Sequence, residues 1–150
     1  MTSSSPAKLA QAAALGADEV IDHAAGDVGR LVRTRTGKRG VDVVIDSVGE
    51  RTWEQSLGAL ARGGRLVTCG GTSGPNLAMD VRRLFWNQWS ILGSTMGNDA
   101  EFDAIVAEAA AGRLIPPVDA VYPLAEGREA FARLARGAQC GKVVLRIGDG

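Results

Sequence analysis

The stretch Gly40-Val41-Asp42-Val43-Val44-Ile45-Asp46-Ser47-Val48-Gly49 decides the fold. Its centre, Val41 to Asp46, holds four β-branched apolar side chains, and polar residues and a glycine follow it. A short, nearly continuous Val/Ile run between breakers is the pattern of a strand buried on both faces. Such strands belong to parallel sheets covered by helices. In those sheets ligands bind beyond the carboxyl ends of the strands. Asp46, Ser47, Val48 and Gly49 stand at that end.

Upstream, Ser5-Pro6 reads as a helix start, with Ser5 as N-cap and Pro6 in the first helical position. Leu9, Ala10, Ala13 and Ala14 make its apolar stripe, and Gly16 ends it. Glu19 to Asp22 reads as a short strand. Asp27 caps a second helix carrying Val28, Leu31 and Val32, which stops at Gly37. Downstream, Thr52 and Gln55 have capping-box spacing for a third helix. Trp53, Leu57, Leu60 and Ala61 form its apolar face, and Gly63-Gly64 ends it. Arg65 to Cys69 is the next strand, closed by Gly70-Gly71.

Thr72 to Ala78 is a loop. Asp80 caps a short helix through Gln88, and Ser90 to Thr95 is a further strand. Asn98 and Glu101 again show capping-box spacing, for a helix striped by Phe102, Ile105, Val106 and Ala109 and stopped at Gly112. Pro116-Pro117 marks a break. A last strand–helix–strand unit follows, as Val118–Tyr122, Leu124–Arg136 and Lys142–Ile147. The alternation implies an α/β fold, a parallel sheet with right-handed crossovers and flanking helices.

The 150 residues suffice for a sizeable core, and 17 basic residues balance 17 acidic ones. That balance speaks against nucleic acid as a partner. Trp53, Phe85, Trp86 and Trp89 lie near Arg82 and Arg83, but without a basic face they read as core or interface residues. Cys69 and Cys140 have no metal-ligand spacing and fit a reduced, cytoplasmic protein. No apolar span reaches the ~18 residues a membrane helix needs. Met1 to Pro6 lacks the basic start and apolar centre of a signal peptide. No acid–base dyad, activated nucleophile or metal cluster appears, so no catalytic residue is named.

Taken in order, Ala14-Leu15-Gly16-Ala17-Asp18 with Val20-Ile21-Asp22, Gly40 to Gly49, Leu60 to Arg65, Leu92-Gly93-Ser94, Pro123-Leu124 and Gly141 to Leu145 resemble the medium-chain dehydrogenase/reductase superfamily. That group comprises zinc-type alcohol dehydrogenases and zinc-free quinone oxidoreductases. The ordered set is specific where each single piece is not, and it covers nearly the whole chain. The resemblance implies a partial Rossmann-like sheet over residues 1–115. Residues 116–150 would be the C-terminal tail that in relatives rejoins the catalytic domain. It implies hydride transfer between NADPH and a carbonyl, alcohol or activated alkene.

Several family parts are missing from these residues: the catalytic domain, the first strand and its glycine-rich turn. No G-x-G-x-x-G follows a strand. Gly70-Gly71-Thr72-Ser73-Gly74 does not lead into a helix, so it is a poor phosphate cradle. Zinc is not supported by this segment.

By the resemblance, Ser3, Ser4, Ser5 and Lys8 lie at the end of the second family strand, where the adenosine ribose is read. Hydroxyls and a lysine without a carboxylate favour NADP there, with NAD as the alternative. Ser5 equally reads as a plain N-cap, and Lys8 as a solvated side chain. His23 corresponds to a position near the adenosine end, or is simply a lone surface histidine; by itself it is no metal ligand. Ser47, Val48 and Gly49 resemble the loop that packs on the coenzyme, and Gly70 and Gly71 carry the same argument one strand later. Gly93, Ser94 and Thr95 correspond to backbone that meets the nicotinamide amide. For all of these the simpler reading is turn and sheet glycine use.

In a sheet of order 3-2-1-4-5-6, removal of strands 1 and 2 leaves one edge of the Val41–Asp46 strand without a neighbour. An apolar edge of that kind invites pairing or aggregation. The alternative function is therefore a non-catalytic remnant or split-protein half acting as a dimerisation or docking module. The expected partners are a small-molecule substrate in the full-length family and a second copy or a missing N-terminal half. Trp86 and Trp89 are candidates for a subunit contact. A methyl-donor-binding α/β domain is a weaker fit, since it needs an N-terminal glycine loop.

Overall fold

The computed structural model describes residues 1–148. The chain forms two compact units, Met1–Met96 and the chain from Gly97 onward.

In the first unit, β1 (Thr2–Ser3) runs parallel to β2 (Ile21–Asp22), with Thr2 opposite Ile21 and Ser3 opposite Asp22. Between them lies α1 (Pro6–Ala14), and Ser5 caps it as expected, its Oγ accepting from Lys8 N at 3.5 Å. Gly16, with φ +99°, takes the left-handed turn after the helix that a side chain would disfavour. β2 is shorter than the Glu19–Asp22 strand expected. Arg35 instead holds the preceding residues, bonding Glu19 Oε2 at 2.6 Å and Val20 O at 2.8 Å. α2 (Val28–Arg35) follows, with Asp27 Oδ1 accepting from Arg30 N at 2.7 Å.

A second sheet holds β3 (Val41–Asp46), β4 (Leu60–Thr68) and β5 (Ser90–Gly93), all parallel, in the order β3-β4-β5. The spans α3 (Trp53–Ala59) and α4 (Val81–Asn87) connect them. β3 is not buried on both faces, as its composition suggested. Val43 is 44% and Ile45 75% exposed, because no helix of the first unit covers the face to which they point.

The third helix also stops earlier than expected. Leu60 and Ala61 belong to β4, and Gly63-Gly64 lies in an irregularity within that strand. Val41 pairs with Leu60 but Val43 with Arg65, so the residues between loop out. The physical reason is long-range. Arg33 of α2 donates from Nε to Gly58 O (3.1 Å), from Nη2 to Leu60 O (2.7 Å), and from Nη1 to Lys38 O (2.7 Å) and Arg39 O (3.2 Å). One guanidinium thereby satisfies carbonyls at the ends of both helices, where the backbone leaves orphans.

Thr52 and Gln55 do not form a capping box. Gln55 Oε1 accepts from Val28 N at 2.9 Å and so caps the other helix. The two helices touch through Gly29, where a Cβ would stand 2.8 Å from Gln55 O.

Trp53, Leu57, Leu60, Leu66 and Trp89 make the core, with Val44, Met79, Leu84 and Ile91 packed against it. Leu57, Leu60 and Leu66 are almost fully enclosed. Each such side chain contributes about 1.5–3 kcal/mol of burial. Trp89 is buried within the chain, and its indole N–H donates to Ala61 O at 2.9 Å. Trp86 is 71% exposed, and Phe85 is exposed beside it.

In the second unit, α5 (Asp99–Ala110) opens on the expected capping box, with Glu101 N donating to Asn98 Oδ1 (2.9 Å) and Asn98 N to Glu101 Oε2 (2.8 Å). β6 (Val118–Pro123) pairs in parallel with β7 (Lys142–Arg146). The helix expected from Leu124 begins as a 3-10 turn, Leu124–Glu126, and continues as α6 (Gly127–Ala135). Asp119 fixes α6 on this ribbon by pairing with Arg133, whose Nη2 lies 2.9 Å from Asp119 Oδ1. The same oxygen accepts from Cys140 N at 3.0 Å.

Candidate functional site

Parallel alternation places the carboxyl ends of β3, β4 and β5 side by side, and the loops leaving β3 and β4 meet there. The centre is Asp46, only 5% exposed. Its Oδ1 accepts from Val48 N (2.8 Å) and Gly49 N (3.0 Å). Its Oδ2 accepts from Thr52 Oγ1 (2.7 Å) and Ser56 Oγ (2.6 Å). An aspartate bonding the backbone two residues on is the Asx turn that this residue type favours. Burial alone would raise the carboxyl. The Ser56 hydroxyl, the Gly49 amide, the Thr52 hydroxyl and the Val48 amide outweigh it and hold Asp46 below the usual carboxylate value.

The turn so fixed is bonded to the loop after β4. Ser73 N and Ser73 Oγ both donate to Val48 O, at 2.8 and 2.7 Å. Arg51 N donates to Ser73 Oγ at 3.0 Å, and Cys69 N to Asp46 O at 3.3 Å. A Cβ on Gly49 (φ +87°) would stand 2.9 Å from Gly74 O and 3.0 Å from Gly71 Cα; one on Gly70 would stand 2.9 Å from Ser47 O. These glycines let two backbones approach each other.

The sequence-derived candidates fall into two groups. Ser47 lies against Gly70 and Gly49 against Gly71, while Val48 meets the same loop at Ser73. Gly93, Ser94 and Thr95 lie at the neighbouring strand end, and Ser94 N bonds Thr68 O at 2.9 Å. Gly93 ends β5, so Ser94 and Thr95 lie past the strand expected to contain them. Ser47, Gly70, Gly71, Ser94 and Thr95 are exposed, whereas Gly49 is buried.

Ser4, Ser5, Lys8 and His23 form the second group, at the carboxyl end of the separate β1–β2 ribbon, where His23 N donates to Ser3 O at 3.1 Å. Sequence reasoning assigned nothing to Thr52, Ser56 or Ser73 at the site. The spacing Asp46-x-x-Gly49 with Thr52 and Ser56 further along α3 was the available signal.

A recess of about 300 Å³ opens beside Glu50, Trp53, Glu54 and Asn76. Its two carboxylates would repel a phosphate, so no phosphate is assigned to it. Among the described residues no three His, Cys, Asp or Glu side chains come together as a metal site.

Parallel strands with flanking helices and interlocked glycine loops at their carboxyl edge define a Rossmann-like α/β fold. The chain belongs to the zinc-binding dehydrogenase family, whose model matches residues 15–145. It is 36% identical over 118 residues to an NAD-dependent alcohol dehydrogenase of Sulfolobus acidocaldarius, covering 77% of this chain and 34% of that protein. It is 33% identical to a quinone oxidoreductase of Pseudomonas aeruginosa, covering 96% of this chain and 47% of the relative. The crystal structure of the alcohol dehydrogenase from Aeropyrum pernix superposes with a TM-score of 0.87 at 33% identity, over 97% of this chain and 42% of the other. The chain thus spans less than half the length of these relatives.

Proposed function

We propose that this chain is the rear part of the coenzyme-binding domain of an NAD(P)-dependent oxidoreductase. The parent reaction is hydride transfer between a nicotinamide coenzyme and a carbonyl, alcohol or activated alkene. The observation that carries this reading is the interlocked pair of loops at the carboxyl edge of β3 and β4, in a chain of the dehydrogenase family. The residues fit a coenzyme in two places. Ser47, Gly70 and Gly71, with Gly93, Ser94 and Thr95, are exposed at the strand ends and offer backbone and hydroxyl groups for the nicotinamide end, while Val48 and Gly49 hold the turn that carries them. Ser4, Ser5, Lys8 and His23, at the end of the β1–β2 ribbon, face the adenosine end.

The coenzyme carries the hydride when bound. The chain binds and orients it, and no residue here is assigned to proton transfer. Hydroxyls and a lysine without a carboxylate at the end of β1 favour a 2′-phosphate, hence NADP over NAD. Titration of the 150-residue chain with NADPH and NADH, read by tryptophan fluorescence, tests this. Saturable NADPH binding with weaker NADH binding is the expected result. Tighter NADH binding overturns the coenzyme preference, and no binding by folded chain overturns the assignment of a working coenzyme site to these residues alone.

A second reading rests on β3. Its outer edge has no strand partner among the described residues, and Val43 and Ile45 are exposed beside it. In the order 3-2-1-4-5-6 that edge belongs to a parallel strand, which would come from polypeptide outside these 150 residues. Hydrogen exchange on the chain alone tests it. Fast exchange along β3 is expected, and protection of β3 equal to that of β4 in a monomer overturns it.

A further inference from the structure

We propose that Asp46 is the positioning residue of the coenzyme platform: its buried carboxylate sets the shape of the Ser47–Gly49 turn and, through Val48, that of the loop after β4. The proposal rests on the coenzyme reading above and goes further, because Asp46 itself touches no ligand in it.

The geometry argues in three steps. First, both Asp46 oxygens are engaged from opposite sides. Oδ1 receives the two amides of the turn, and Oδ2 receives the hydroxyls of Thr52, at the N-cap of α3, and of Ser56 within it. The side chain is therefore a tie between the turn and the helix that follows it. Secondly, fixing Val48 N and Gly49 N orients the peptide carbonyl of Val48, which receives both donors of Ser73. The orientation of the first loop is thus passed to the second. Thirdly, the glycine contacts between Gly49, Gly71 and Gly74 leave no slack for the turn to sit elsewhere. A charge-assisted acceptor of several donors is among the stronger ties a loop can have.

Asp46→Asn is the informative variant. One amide oxygen can keep the two turn amides, and the Thr52 and Ser56 hydroxyls can reverse to accept from the new NH₂ group. Thr52 has Gly49 O at 3.2 Å as another acceptor for its proton. The fold can therefore survive while the charge that sets the turn is lost. We expect NADPH affinity of the 150-residue chain to fall about tenfold. As a control matched in lost stability, Gln55→Ala removes the cap of α2 and leaves NADPH affinity unchanged. A purely structural role for Asp46 would instead lower affinity in both variants in proportion to stability.

A second readout is independent of coenzyme. In NMR spectra of the wild-type chain, the amide protons of Val48 and Gly49 shift together on acidification, and in Asp46→Asn they do not. Should Asp46→Asn fail to fold, Thr52→Val removes one hydroxyl alone and is expected to weaken NADPH about threefold.

Wild-type binding matched by Asp46→Asn, or by Thr52→Val where the first variant does not fold, overturns the role of Asp46 and leaves the coenzyme reading intact. A wild-type chain that binds neither coenzyme overturns both, even if the two amides titrate together.

Discussion

At Asp46 two opposed effects meet, and their balance fixes the acid response of the fold. Burial raises the carboxyl, the four donors lower it, and the donors win. The native value lies below the unfolded one, which is near 3.8. The native state thus binds the proton less well. The stabilisation is fully present above about pH 4 and is lost as pH falls through the lower native value. Urea titrations should show wild type more stable than Asp46→Asn at pH 6, with the difference shrinking toward pH 3. A difference constant over that range would sink this assignment.

The glycines give a second test at the same scale. Gly40, with φ +88°, would place a Cβ 2.6 Å from Ala59 O, whereas Gly63, with φ +73°, has open space around it. Gly40→Ala is expected to unfold the chain or cost about 3 kcal/mol or more, and Gly63→Ala about 1 kcal/mol, by thermal melts. That Gly49 and Gly70 needed to be glycine was legible in the sequence. The reason was not, because the atoms that forbid a side chain come from a loop some twenty residues away.

Among the elements, the alternation of helix and strand was legible because each has its own period and its own stop signals. Asp27, Asp80 and Asn98 cap the helices they precede, as their residue type foretells. The boundary between α3 and β4 was not legible. Leu60 and Ala61 continue the helical stripe of Trp53 and Leu57, and only long-range contacts, the pairing of Leu60 with Val41 and the bonds from Arg33 and Trp89, set them in the strand.

Arg33→Met keeps the aliphatic stem but removes four hydrogen bonds to main-chain oxygens. It is expected to destabilise by about 2–3 kcal/mol in chemical denaturation. Gln55→Ala, which strips the cap from Val28, should cost about 1 kcal/mol. Equal, negligible losses in both variants would mean that water replaces these caps freely.

Across the whole molecule, β3 separates what composition reveals from what it hides. A run of Val and Ile marks a strand made for a covered sheet, and that remains true. Whether a given chain supplies the cover is a property of its extent, which no local pattern encodes. Association through this face is the expected consequence of the exposed pair Val43 and Ile45. Replacing Ile45, 75% exposed, by Lys should reduce concentration-dependent light scattering with little effect on the melting temperature. A fall of several degrees would show that Ile45 is packed in solution.

The clasp between the turn after β3 and the loop after β4 has one further consequence. Each segment is the mould in which the other is cast. Val48 O takes both donors of Ser73, and Gly49 fits against Gly71 and Gly74. A residue inserted into either one would leave its counterpart without a surface to set against. A chimaera that borrows only one of the two segments from another member of the family would therefore inherit a lock without its key.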